Sequence, residues 1–372
     1  MLHKLTVFLL ALGTTLPSHA QEEMTPSHPQ GWSLQRLQEE SQRLLRQQGI
    51  TSNTGRSTSI EGSEELETKT ILVECEEGES IDAKLDKHAE RLIIEIRGIC
   101  EENVLIQRDH VVLRGADPAT DGIRGRSGDP KATLTLRDVS SITIENLSIG
   151  GGPDSGLLVI GSDEIEVRNS WFRDNGIWGV AMTRSTVVFE ESLLESNTFG
   201  GFLVSGYASL FCRDCTVRGG FFSVGLSFHS TGQFVDMTIE TPFIGIASLS
   251  NTEVSVFGST HIAGSIVAGG NSSIRLFGTS VVGSPFFIKH EISDNSYLLM
   301  DRWLDHSAPG DPIITQSSVT GDIVVESFSK VTMLWDSTLT GELLCIGGGD
   351  AFCRSRSNII GPVRFCRSCD GF

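Results

Sequence analysis

The sequence predicts an all-β chain wound into a parallel β-helix of about ten coils, and three observations lead there. The first is composition. Of 372 residues, 40 are Gly and 11 are Pro, with 7% aromatic residues. Gly at that density is too high for a helical bundle and lacks the strict three-residue period of collagen. The second is a repeat. The segments ITIENLSI, IEVRNSWF, VVFEESLL, LFCRDCTV and GQFVDMTI align without gaps, followed by VSVFGST, IRLFGTS and, less well, YLLMDRWL. Their fifth positions are Asn146, Asn169, Glu191, Asp214, Asp236, Gly258, Gly278 and Asp301, spaced 23, 22, 23, 22, 22, 20 and 23 residues apart. A near-constant step of this size marks a solenoid. The third is alternation within each repeat. Ile142, Ile144, Ile165, Val167, Val187, Phe189, Leu210 and Cys212 are placed to enter a core. Thr143, Glu145, Glu166, Arg168, Val188, Glu190, Phe211 and Arg213 are placed to face out.

Each repeat carries a second apolar burst, as in Val180-Ala-Met182, Phe202-Leu-Val204, Leu226-Ser-Phe228, Ile246-Ala-Ser248 and Ile266-Val-Ala268. Short strands joined by Gly, Asn, Asp or Ser turns fill such a repeat, leaving no room for a helix. The polar marker residues suit the bend after each strand, where their side chains can bond backbone groups.

The chain before the repeats divides in two. Residues 1–20 carry Lys4, an apolar run from Leu5 to Leu12, and small residues Ser18 and Ala20 before a cleavage point. That is the layout of a secretory signal peptide, too short to span a membrane. Residues 21–70 read as an N-terminal extension. Within it, 32–49 place Leu34, Leu37, Leu44 and Leu45 on one helical face, with Gly49 as a stop. Residues 51–70 read as a polar linker, and 71–372 as the β-helix domain. There, 71–75 predicts a first strand and 80–90 a short helix capped by Ser80.

The formal charge of −18 argues against nucleic acid or an anionic membrane as partner. Eight cysteines, an even number in a chain expected to be exported, predict disulfides: Cys75, Cys100, Cys212, Cys215, Cys345, Cys353, Cys366 and Cys369. The two CxxC pairs lie too far apart for a zinc ribbon. A Cys75–Cys100 bridge would join successive coils, and Cys212–Cys215 would close a bend. At the C-terminal end, Cys345–Cys366 spans one repeat, whereas Cys345–Cys353 with Cys366–Cys369 is equally compatible.

The run from Cys75 to Ile123, CEEGESIDAKLDKHAERLIIEIRGICEENVLIQRDHVVLRGADPATDGI, resembles the opening of bacterial right-handed β-helix proteins with a pectin-lyase-like fold. The resemblance implies a right-handed coil whose N-terminal end is plugged by a short helix. It implies little about activity, because the fold hosts many functions.

The column Glu145, Arg168, Glu190, Arg213 is the candidate substrate-binding face. Alternating charges at one position of successive coils read either as a salt-bridge ladder or as a groove for a polysaccharide. Phe257 and Phe277 continue the column and suit either a sugar face or the underside of a lid formed by 305–322. Catalytic signatures of the fold are missing. There is no Asn-Thr-Asp, Asp-Asp or Arg-Ile-Lys set, no Tyr-Gly-x-Asp-Pro-His element and no third carboxylate beside Asp117 and Asp121. His229, His261 and His290 fall at different offsets from the marker, and Lys289-His290-Glu291 reads as a solvated cluster, so no metal or other cofactor is expected. The leading expectation is an exported, periplasmic or extracellular protein that binds or acts on a polysaccharide, as a lyase or hydrolase if catalytic. The rival is a structural or adhesive surface protein in which the ladder is scaffolding.

Overall fold

The computed structural model describes residues 67–128, 132–283, 289–301, 303–305, 313–334, 336–353 and 357–366. The expected signal peptide, the 32–49 segment and Cys369 lie outside them. The described chain winds through three walls per turn. The first wall is one parallel sheet of thirteen strands, opening with Thr68–Glu74, Arg91–Arg97, Val111–Arg114 and Ser140–Glu145 and closing with Asp350–Cys353. From the second strand onward the typical turn continues with a short second-wall strand such as Trp171–Arg173, then a third-wall strand such as Trp178–Thr183. The second and third walls merge where Thr238–Leu249 and His261–Gly269 run through the corner. Thirteen first-wall strands mean twelve turns rather than about ten. The additional turns lie mainly beyond the recognised repeats, where strands such as Asp322–Val325 and Lys330–Met333 have only four residues and no polar marker.

Alternation sets the core. All eight residues expected inside the first wall are fully or almost fully buried. Aromatic rings stack between walls, with Phe189 edge-on to Phe172 at 5.7 Å and to Phe202 at 5.1 Å. The markers serve as left-handed bends, with φ between 42° and 56° from Asn146 to Asp236 and 73° and 70° at Gly258 and Gly278. Asn tolerates this conformation, and Gly adopts it at no steric cost. Asn169 Nδ2 also donates to Asn146 Oδ1 at 2.8 Å, tying one bend to the next. Two expected overlays slip. Asp301 pairs with Phe277, one residue before the marker, so that Leu298 and Met300 point inward and Tyr297 does not. In the second burst Val224, not Leu226, stands opposite Phe202 and Ile246.

The corners hold buried polar ladders. Ser170 Oγ accepts from the Leu147 N–H at 3.3 Å, and Ser192 Oγ from the Ser170 N–H at 3.4 Å. Asn197 Oδ1 accepts from both the backbone and the side chain of Asn175. Each ladder satisfies amides that the bend leaves without a strand partner, which a buried corner requires.

The front closes differently from expectation. In place of a helix over 80–90 there is one turn, Asp82–Leu85, after a 3₁₀ turn at Cys75–Glu77. Glu102 of the next coil accepts from the Ser80 hydroxyl at 2.7 Å and the Ile81 N–H at 2.7 Å, while Ser80 Oγ accepts weakly from the Ala83 N–H at 3.4 Å. Arg108 then takes the carbonyls of Leu85, Lys87 and Ala89, fixing the chain in a non-helical path after one turn. Ile81 and Leu85 enter the core at that end.

The disulfides Cys75–Cys100, Cys212–Cys215 and Cys345–Cys366 are formed. Of the two C-terminal pairings, the one spanning a repeat is adopted, because Cys345 and Cys366 project into the core of neighbouring turns. Cys353 is also disulfide-bonded.

His290 corrects the expectation of a solvated cluster. It lies in the strand Lys289–Ile292 with no exposed surface. Its Nδ1 accepts from the Ile266 N–H at 3.1 Å, which leaves the proton on Nε2, facing the Thr320 carbonyl at 3.3 Å. Burial pushes its pKa below the ordinary histidine value, partly opposed by the Thr320 carbonyl and Asp322.

Two outcomes follow. Replacing Cys75 and Cys100 together by Ser should lower unfolding free energy by about 3 kcal/mol, since the bridge closes a 25-residue loop, measurable by urea titration without reductant. For His290 the unfolded chain takes up a proton below about pH 6.5 and the folded chain does not, so stability should fall as pH drops through that value. The slope should approach 1.4 kcal/mol per pH unit. His290→Gln, which keeps an acceptor and a donor but cannot titrate, should remove that part of the slope.

Candidate functional site

The outer face of the first wall carries the expected column, and the structure extends it. In register, one position reads Glu95, Arg114, Glu145, Arg168, Glu190, Arg213 along six strands. Parallel strands about 4.8 Å apart bring each charge next to its opposite. Arg114 pairs with Glu145. Arg168 reaches Glu190 at 3.5 Å and Glu166 of its own strand at 2.5 Å, and Arg213 reaches Glu190 at 2.7 Å. All four residues expected to bind substrate thus lie in one column, Arg168, Glu190 and Arg213 joined in ion pairs and Glu145 paired with Arg114 of the preceding rung. Guanidinium groups committed in this way offer little to a uronate. A second ladder, Arg173, Glu195, Arg218 and Glu240, runs up the second wall, with Arg218 and Glu240 at 3.0 Å.

Beside the column lies a groove of about 290 Å³. Val112 and Thr143 form its floor. Its sides are Arg91, His110, Ser141, Glu164 and Glu166, from four consecutive strands. His110, Ser141 and Glu164 occupy equivalent places with φ of 57°, 57° and 52°. Left-handed backbone at these three non-Gly residues, one on each of three successive rungs, is a sparsely populated conformation. The Ser141 hydroxyl donates to Glu164 at 2.5 Å. Glu166 was expected to face out and does, yet it is only 7% exposed. Neighbouring Asp163 has its carboxyl pKa pushed up, first by burial and then by repulsion from Glu164, with Asp109 adding to it. Among the described residues Arg91 has no ion-pair partner within 4 Å. The groove therefore gathers two carboxylates, an imidazole, a hydroxyl and a cation on strands fixed by the coil. That is enough for proton transfer to and from a bound hydroxyl or glycosidic oxygen.

Sequence reasoning placed Thr143 and Glu166 on the outer face and did not single out the other groove residues. Ser141 and Glu164 each lie five residues before their markers, Asn146 and Asn169, so the repeat contained the signal for two of them. His110 sits in a rung without a marker. Asp121, weighed for calcium, accepts backbone N–H bonds from Gly98, Ala116 and Asp117 and holds a loop together. No cluster of three or more His, Cys, Asp or Glu suited to a metal occurs among the described residues. A larger hollow of about 970 Å³ lies over the last turns. Its Glu342 is paired with Arg364 at 2.9 Å, and it is lined by the turn Gly347, Gly348 and Gly349 and by exposed Phe328 and Phe365. The groove on the first wall is built on strands and is the better-ordered setting for chemistry.

No curated protein matches the sequence. Among solved structures, the enzymatically active domain of tailspike protein 2 from bacteriophage CBA120 is similar at 10% identity and a TM-score of 0.47, covering 72% of this chain and 47% of its own. The chain thus spans about half the length of that domain. The catalytic domain of a GH87 alpha-1,3-glucanase has 11% identity and a TM-score of 0.41, covering 83% of this chain and 70% of its own. An alginate lyase from Paenibacillus sp. str. FPU-7 has 9% identity and a TM-score of 0.43, covering 78% and 99%. Residues 123–222 match the family described as right handed beta helix region, and the described chain is a right-handed parallel β-helix.

Proposed function

We propose that the protein is exported and acts on a neutral polysaccharide along the outer face of the first wall, with the groove at His110, Ser141, Glu164 and Glu166 as a hydrolytic centre. The observation that carries this is the convergence of two carboxylates and an imidazole in one hollow on consecutive, rigidly registered strands. A repeating wall suits a repeating ligand, since the same contact recurs at each rung. The net charge of −18 and the mutually paired arginines both oppose a polyuronate. In such a reaction one groove acid would protonate the departing glycosidic oxygen as its bond to the anomeric carbon breaks. A second group would take a proton from the water whose oxygen forms the new bond.

A second reading, a non-catalytic structural or adhesive surface protein, is favoured by one observation. The ladder is satisfied internally, as scaffolding would be.

The test is turnover on a panel of neutral and acidic polysaccharides, read by release of reducing ends, beside affinity measured on immobilised polymer. Glu164→Gln and Glu166→Gln should each lower kcat by about 10²- to 10⁴-fold and leave polymer affinity within a few fold. Turnover unchanged in both variants would remove the groove from the mechanism. Binding without any turnover would favour the second reading. Arg168→Met addresses the ladder itself. It strips Glu166 and Glu190 of a shared cation and should cost about 1–2 kcal/mol in a denaturant titration, because Glu166 is nearly buried while Arg168 is part-exposed.

A further inference from the structure

Beside the last two charges of the ladder, on the strands of Glu190 and Arg213, and then beyond them, the outer face of the first wall turns apolar. Val188, Phe211, Val235 and Phe257 form a cluster separate from the coil core, with Phe277 packed against it and stacked on Phe257 at 5.1 Å. These side chains point away from the interior. Their strand neighbours Val187, Phe189, Leu210, Cys212, Phe234 and Val256 are the ones that fill it. Yet the four are only 3–7% exposed. An outward-facing side chain on an open sheet keeps much more surface than that, so this strip is covered.

We infer that the strip is the docking surface for the chain's own segment 32–49. Three features of the chain select that occupant. The first is period: Leu34, Leu37, Leu44 and Leu45 fall on one face of a helix. The second is length. Leu34 to Leu45 spans about 17 Å as a helix, and Val188 to Phe277 covers four rung steps, about 19 Å. The third is reach. The described chain begins on this same wall, with Thr68–Glu74 as its first strand. The rung of Val188 lies five steps away, about 24 Å, while the 18 residues 50–67 can extend about 60 Å. The segment needs no partner chain to arrive, and its effective concentration at the strip is set by the linker. Docked there, it shields an apolar strip that would otherwise invite association. This inference does not depend on the carbohydrate reading.

Hydroxyl-radical footprinting of the full mature chain tests it, with oxidation at each residue read by mass spectrometry. In the native chain Phe211, Phe257, Leu37 and Leu44 should all label slowly. In Leu37→Asp/Leu44→Asp, Phe211 and Phe257 should label several-fold faster, while Phe172 and Phe189 in the coil core stay protected and report that the fold is intact. Unchanged labelling of Phe211 and Phe257 in the variant would overturn the proposal and assign the cover to another segment. Protection that disappears on dilution of the native chain would overturn it in favour of a second copy.

Discussion

The whole molecule depends on one constraint: each rung must bend at the same place, so that parallel hydrogen bonding never slips. A slip of one residue would exchange inside and outside on every rung beyond it. The constraint is met at the marker column, where residues with left-handed backbone end each first-wall strand from Asn146 to Gly278. Glu191 occupies that conformation at a cost of about 1–2 kcal/mol, so stacking on the rungs above and below must outweigh it. The serine and asparagine ladders continue the logic inside the corners. A bend leaves amides unpaired, and a side chain from the next rung takes them.

That same registry makes a surface. Because equivalent positions lie one above another, any residue type repeated at one position becomes a stripe. On the first wall the stripe changes character along the stack, from alternating charge between Glu95 and Arg213 to apolar from Val235 to Phe277. The charged half is satisfied by its own neighbours. The groove proposed for chemistry lies to one side of it, lined by His110, Ser141 and Glu164, which share left-handed backbone.

The ends are where the coil cannot use its own repeat. At the front a single helical turn, a disulfide and the Arg108 contacts replace the missing rung. At the back the Cys345–Cys366 bridge joins successive turns. Between them His290 takes a core position that aliphatic residues fill elsewhere, and it is neutral because its two nitrogens are both used by backbone groups.

Much of this was legible in the sequence. The step between markers and the inward alternation are local and periodic, so Asn146 to Gly278 and Ile142 to Cys212 could be placed by counting. Cys75–Cys100 and Cys212–Cys215 followed from spacing. The folded structure was needed wherever a choice turned on a side-chain contact between rungs. They decided that 80–90 makes one helical turn, because Glu102 and Arg108 from the next coil take its ends. They showed His290 to be buried and Asp301 to sit one residue short of the bend. They revealed that the outward charges pair with each other, and that His110, Ser141 and Glu164 meet Glu166 in one hollow. The period of a chain fixes which residues share a column. Only the folded coil decides how a column bends, what its side chains touch, and where a regular wall opens into a site.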